Sequence, residues 1–461
     1  VLQLPAELAL ADRRLVVKIP ANPPPVHEIL ADIKDPKRLL KILTTYASNI
    51  AAQPYHPWDK LRNLKTPADL THHEWWAAIK ISRAGMQRRL PLVDKEGKPF
   101  TYAVTDEILK GIEEVNRDAS GQITISEQVT NPATRDRYLV NSLMEEAITS
   151  SQLEGATTTR KDAKEMIRTG RKPRTRDEQM ILNNYLAMKR IREVKSAPLT
   201  IDLILEIHQI LTEDAMDNPD ASGRFQRPDE ERIGVYDQQT DELLHAPPPA
   251  DQLPERVQRL CDFANGTLDD AYVPPVLRAL IVHFMLAYEH PFEDGNGRTA
   301  RALFYWAMLN QKYWLVEFIS ISKILKNAPA KYGRSFLYSE QDDNDLTYFL
   351  TYQLNVTQRA ISELHKYLKQ EMQELHSLQQ SLANMPGEFN HRQLAILEKA
   401  IKDPRSHFTV MSHGTSHNVV RETARKDLLQ LQERGLLIRR KMGREYTWLP
   451  EADMISKLRK E

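Results

Sequence analysis

One cysteine, Cys261, stands in a chain of 461 residues, so an internal disulfide is excluded and a reducing compartment fits. Cys261 falls on apolar spacing with Val257, Leu260 and Phe263, which predicts burial rather than a reactive thiol. No apolar run approaches the roughly 20 residues of a membrane span. The first residues carry charges where a signal peptide needs an apolar core, so a cytoplasmic protein away from membranes is expected. Net charge is missing too: 63 basic and 63 acidic residues cancel. Bulk electrostatics therefore single out no partner, and any nucleic-acid contact must be local. A chain of this length is expected to divide into about two to four domains.

What is present is one dense polar stretch, His290-Pro-Phe-Glu-Asp-Gly-Asn-Gly-Arg-Thr-Ala-Arg301. Upstream, Leu277, Leu280, Ile281, Phe284, Met285 and Tyr288 predict a helix over 276–289 that Pro291 ends near His290. A second helix is predicted over 300–309, leaving Gly295, Asn296 and Gly297 as a tight turn at a helix N-terminus. Backbone N–H groups in such a turn, with the positive end of the helix dipole, suit a diphosphate. Arg298 and Arg301, three apart, are expected on one side of the helix, where guanidinium forks can hold phosphate oxygens. Asp294 is a hard oxygen ligand suited to Mg²⁺, and His290 is the side chain able to take a proton near neutral pH. Group transfer from a nucleoside triphosphate to a hydroxyl needs these parts. His283 is no metal partner for His290, since seven residues of helix span about 10 Å.

At every defined position these residues resemble the signature of the Fic (filamentation induced by cAMP) family, His-Pro-Phe-x-Asp/Glu-Gly-Asn-Gly-Arg-x-x-Arg. The resemblance implies a mainly α core with a β-hairpin flap and transfer of AMP from ATP to a Ser, Thr or Tyr hydroxyl of a protein, with Mg²⁺. His290 would be the base, and Gly297, where relatives that phosphorylate carry Lys, favours AMP transfer. Ser150-Ser-Gln-Leu-Glu154-Gly155 is similar to the family's inhibitory Ser/Thr-x-x-x-Glu-Gly/Asn motif, at the end of a helix predicted over 135–153. There Glu154 would pair with Arg301 and obstruct the γ-phosphate, or serve as a base for removing AMP. Strands at 233–235 and 243–245 would form the flap that holds the target protein by strand addition. Tyr332 is where members often line the adenine pocket, although many carry Tyr-Tyr and this chain has Tyr332-Gly333.

Around this core, expected at 124–385, residues 1–123 read as a mixed extension. It opens with a Pro-rich arm, and Trp58, Trp75 and Trp76 predict a packing anchor. A turn at Asp94–Lys98 joins two strands, and Thr105 is a plausible helix cap. One or two long helices over 344–382 carry Leu354, Ile361, Leu364 and Leu368, a core stripe or a homodimer surface. After a linker at 384–387, the pattern over 386–461 is helix (392–401), short helix (416–420), longer helix (421–434) and hairpin, a winged helix-turn-helix. Arg421 and Arg425, with Arg439, Arg440 and Arg444 on the wing, would meet DNA phosphates, or the wing would pack on protein instead. A DNA-binding regulator with a nucleotide-sensing core is the alternative function.

Overall fold

The computed structural model describes residues 18–46, 49–67, 69–119, 132–237, 240–268, 272–383, 389–404, 406–442 and 445–458. The first 17 residues of the Pro-rich arm, the linker at 384–387, and Gly443 with Arg444 at the wing turn lie outside them. The chain divides into two units, Val1–Ile123 with Val140–Ser362 and Thr124–Leu139 with Glu363–Glu461. The architecture is mainly α: among the described residues the strands form three separate two-stranded antiparallel hairpins and the rest of the regular structure is helical. No helix among them is long and apolar enough to cross a membrane.

In the first unit, Thr71 and Glu74 form a reciprocal capping box that starts the helix His72–Ala84. Buried Trp76 lies 5.9 Å from buried Trp58, and Trp75 donates to the Tyr46 hydroxyl at 2.8 Å, so the tryptophans pack a local core. Strands β1 (Gln87–Val93) and β2 (Pro99–Ala103) follow. Their turn is set by Asp94, whose Oδ1 accepts from the Glu96 and Lys98 amides, both at 2.8 Å, and by Gly97 at φ +84°. Thr105 accepts from the Ile108 amide at 3.2 Å and caps the helix Asp106–Ala119. That helix runs close to the long helix Thr347–Ala383: a Cβ on Gly111 would lie 2.9 Å from Leu354 Cδ1.

The centre of the unit is the helix pair Pro275–Glu289 and Asn296–Asn310, whose apolar side chains are almost wholly buried. Each large one contributes about 1.5–3 kcal/mol by leaving water. Such a pair gives a stiff platform for the link between its helices, residues 290–295. Arg256, on the helix Leu253–Asn265, braces that platform from the side. It holds the buried Glu289 carboxylate at 2.6 and 3.0 Å and donates to the Val93 and Asp94 carbonyls at 2.7 and 3.1 Å. The N-terminal hairpin is therefore tied to the residue before His290.

Several boundaries differ from expectation. The signature helix begins at Asn296, so only Gly295 (φ +81°) sits in the turn, while Gly297 is already helical. That helix ends at Asn310, followed by a 3₁₀ turn at Trp314–Phe318 and a separate helix Ile321–Lys326. The flap is β3 (Val235–Tyr236) paired with β4 (Leu243–His245), shifted by two residues on the first strand. The stretch 344–382 yields one helix, Thr347–Ala383.

The second unit contains the helices His391–Lys402, Val410–His417 and Arg421–Glu433 and the hairpin β5 (Leu437–Met442) and β6 (Glu445–Pro450). The middle helix lies earlier than the predicted 416–420 because Thr409 and Ser412 form its capping box and Asn418, at φ 48°, ends it. Phe389, Leu397, Leu428, Leu437 and Trp448 form its core. At its polar centre, Asp427 accepts from Arg392 at 2.7 Å and from Asn390 at 2.7 Å, with His413 3.1 Å away.

Candidate active site

His290 ends its helix in the left-handed region, at φ 45°, ψ 52°. For a non-glycine residue this conformation costs on the order of 1–3 kcal/mol and persists only where the surroundings impose it. The ring's Nδ1 lies 3.1 Å from the Ile233 carbonyl, just before the flap. Asn296 Nδ2 also lies 3.4 Å from Nδ1, but that amide is committed elsewhere. Its Oδ1 accepts from the Phe292 amide at 3.0 Å and its Nδ2 donates to the Phe292 carbonyl at 2.8 Å. The shorter contact decides the tautomer: a carbonyl can only accept, so Nδ1 carries the proton and Nε2 keeps its lone pair. Burial, then the nearby His245 and Arg232, push the His290 pKa down to about 4. The ring is neutral at physiological pH.

The anion turn is shaped from behind by His208, on the helix Ile201–Thr212. Its Nδ1 accepts from the Gly223 amide at 3.0 Å, its Nε2 donates to the Asp294 carbonyl at 2.9 Å, and its ring stacks on Phe292 at 3.7 Å. Gly295 is required here, because a Cβ would lie 2.9 Å from Thr212 Cγ2. Sequence reasoning missed His208; a single histidine on an apolar helix looks like an ordinary core residue.

A cavity of about 210 Å³ is lined by His290, Asn296, Gly297, Arg301 and Glu154 together with Leu244, His245, Phe336, Leu337 and Glu340. Arg301 is buried and donates through Nε to Ser150 Oγ at 2.9 Å and through Nη2 to the Ser150 carbonyl at 3.0 Å and Glu154 Oε1 at 2.8 Å. Burial opposes the Arg301 charge, but Glu154 beside it pushes the pKa up. The helix Pro132–Leu153 delivers these groups, Gly155 follows it at φ +98°, and Glu146 anchors it by accepting from Tyr305 and Ser320, each at 2.8 Å. A Cβ on Gly297 would collide with Glu154 Oε1, so the carboxylate rests against the anion turn itself.

Of three predicted residues, Arg298 is placed differently from expectation, while Tyr332 and Asp294 carry further bonds. Arg298 does not line the cavity beside Arg301: its buried guanidinium donates to the Leu211 carbonyl at 3.0 Å and to Asp294 Oδ2 at 3.2 Å. Three residues advance a helix by about 300°, and here that rotation turns the two guanidiniums to different neighbours. Tyr332 lines the cavity, but its hydroxyl is bound to His283 Nε2 at 2.8 Å. Asp294 is half-exposed, and its Oδ1 also accepts from the Gly295 amide at 2.6 Å. No group of three or more His, Cys, Asp or Glu side chains suited to a metal occurs among the described residues. A single accessible carboxylate fits Mg²⁺, which takes most of its ligands from water and phosphate.

Burial leaves two further histidines neutral, with pKa pushed down to about 4 at His208 and about 3 at His283. Their folded values lie below the ordinary value of about 6.5, so the unfolded chain binds the extra protons as pH falls. Stability is complete above that value and declines below it, by up to about 1.4 kcal/mol per pH unit for each histidine. Urea midpoints between pH 7 and 5 are expected to fall, and His208→Gln to lessen the slope. A difference measurement isolates the histidine from Glu289 and Asp345, whose pKa values burial raises and which act with the opposite sign. Equal slopes for the two proteins would contradict this account.

Asn296 and Gly297 at the N-terminus of one helix, the neutral His290 imidazole and the buried Arg301 thus line one cavity of a helical scaffold. Residues 198–308 match the Fic/DOC family. The protein adenylyltransferase Fic of Nematostella vectensis is 35% identical over 109 residues, 24% of this chain and 22% of that protein. The protein of that name in Drosophila willistoni is 33% identical over 135 residues, 29% of this chain and 24% of the relative. The matches thus span about a quarter of the length of these relatives. Among solved structures, a Fic family protein from Desulfovibrio desulfuricans G20 aligns over 76% of this chain and 98% of its own, with TM-score 0.49 and 18% identity.

Proposed function

We propose that this protein transfers AMP from ATP to a hydroxyl on a target protein and that Glu154 restrains the reaction. The observation that carries this reading is the free Nε2 of a neutral His290 on the same cavity as Gly297 and Arg301. The names of the curated relatives, protein adenylyltransferases, support the same chemistry. The target hydroxyl attacks the α-phosphorus in line while His290 Nε2 takes its proton. The bond from the α-phosphorus to the bridging oxygen breaks, and pyrophosphate leaves. The turn amides and Arg301 stabilise charge on the phosphates. Mg²⁺, held through Asp294, would supply neutralising charge there.

Glu154 works against this arrangement because a carboxylate at the anion turn repels a terminal phosphate and engages Arg301. The flap would hold an extended target segment by backbone pairing, with the exposed Ile233, Tyr236 and Leu243 offering apolar contact. Incubation with ATP labelled at the α or the γ phosphate tests the reading: α-label on protein without γ-label supports AMP transfer. The reverse pattern would mean phosphorylation.

A second reading concerns the unit at 363–461, whose helix order and hairpin support a winged helix that binds duplex DNA. Exposed Arg421, Arg425 and Arg439 line one groove with Tyr446, and the Arg439 guanidinium stacks on that ring at 4.5 Å. Arg440 leaves this group, since neighbouring strand residues face opposite sides. Duplex binding measured against salt is expected to weaken with Gln at each of the three positions. The slope of log K against log salt should shrink by about 0.9 per arginine. Binding that ignores all three substitutions, or none at low salt, would overturn it.

A further inference from the structure

We propose that Arg232 is the positioning residue of His290, its guanidinium holding the left-handed peptide that carries the imidazole. The guanidinium lies at the C-terminal end of the helix Pro275–Glu289. Nη2 donates to the Glu289 carbonyl at 2.6 Å and Nη1 to the His290 carbonyl at 2.9 Å. Nε donates to the Pro248 carbonyl at 2.8 Å, and Nη1 also reaches Gln226 Oε1. Every acceptor is neutral. The nearest acid, Glu289, has its carboxylate engaged by Arg256, so Arg232 is not half of an ordinary ion pair. A planar fork is the side chain able to reach two successive carbonyls at a helix end while its charge favours the negative pole of the dipole.

The next residue completes the grip, for the Ile233 carbonyl faces His290 Nδ1 at 3.1 Å. Residues 232 and 233 thus hold His290 by its backbone and by its ring, and both precede the flap directly. Gln226 braces them: its Oε1 also accepts from the Ile233 amide at 3.3 Å, and its backbone amide donates to the Pro291 carbonyl at 2.9 Å. The positive charge also acts on the imidazole. Burial is the first cause of the low His290 pKa, and His245 and Arg232 both add to it, whereas the Ile233 carbonyl and Asp294 oppose it. Across the cavity the remaining charged groups are Glu154, Arg301 and Glu340. Arg232 itself, though burial pushes it down to about 10, stays charged at neutral pH.

The kinetic part of the test rests on the transferase reading, so it is run in the Glu154→Gly protein beside a titration that needs no turnover. For Arg232→Gln, kcat is expected to fall about 10- to 100-fold with the KM for ATP little changed, as for a displaced base. The acid limb of kcat moves up from near pH 4 toward the ordinary imidazole value of about 6.5. Arg232→Lys keeps the charge and loses the fork, so its limb stays low while kcat still drops. Added guanidinium restores part of kcat to Arg232→Ala. NMR titration of His290 is expected to show the same order of pKa values in the absence of ATP. An unchanged kcat in Arg232→Gln overturns the proposal, and so does a fall in kcat with the His290 titration unmoved. If even the Glu154→Gly parent transfers no AMP, the transferase reading fails, and the titration alone decides the role of Arg232.

Discussion

Transfer of α-labelled AMP is expected to rise on the order of 100-fold when Glu154 is replaced by glycine, given the several kcal/mol that adjoining like charges cost. Glu154 Oε1 is 2.8 Å from Arg301 Nη2 and rests against Gly297, so its removal frees a cation and opens a cradle in one step. Arg301 keeps its bonds to the Ser150 hydroxyl and carbonyl and is not left as a bare buried charge. The rate gain should therefore come without collapse of the site. Protein-bound label counted on gels for the wild type and Glu154→Gly checks this. An unchanged rate would remove the restraint from the reading, whereas a loss of AMP release from a modified protein in Glu154→Gly would assign Glu154 to removal chemistry.

In the Glu154→Gly background, His290→Ala is expected to lower transfer by about 10²- to 10⁴-fold, the usual worth of a positioned general base. ATP affinity should change little, because Asn296, Gly297 and Arg301 line the cavity independently of the ring. Isothermal titration of ATP alongside the transfer assay separates the two effects. Loss of binding in step with loss of rate would make His290 part of the cradle rather than the base.

The candidate site was legible where its chemistry is local. Twelve consecutive residues carry a helix end, a glycine turn, a carboxylate and an imidazole, and their order could be read before any fold is known. The tryptophan anchor, the Asp94 turn and the Thr105 cap were readable for the same reason: each joins residues within a few positions or depends on bulk apolar character. Exact helix limits were less legible, because capping competes with neighbouring preferences. Asn296 starts the signature helix four residues early by bonding back across the turn to Phe292.

Side-chain direction was decided only by tertiary packing. Arg298 and Arg301 look equivalent in the sequence, yet one meets the Leu211 carbonyl and the other meets Ser150 and Glu154. His208 and Arg232 carried no local signal, since their partners Asp294 and His290 lie 86 and 58 residues away. The sequence by itself determined the residues of the candidate site, the helical class and the proposed partner of Arg301, Glu154. Only the tertiary structure decided which arginine faces the cavity, which nitrogen of His290 is free and what holds its strained peptide. Those choices depend on directed hydrogen bonds between distant segments, and a hydrogen bond has an angle and a distance that a one-dimensional spacing does not encode.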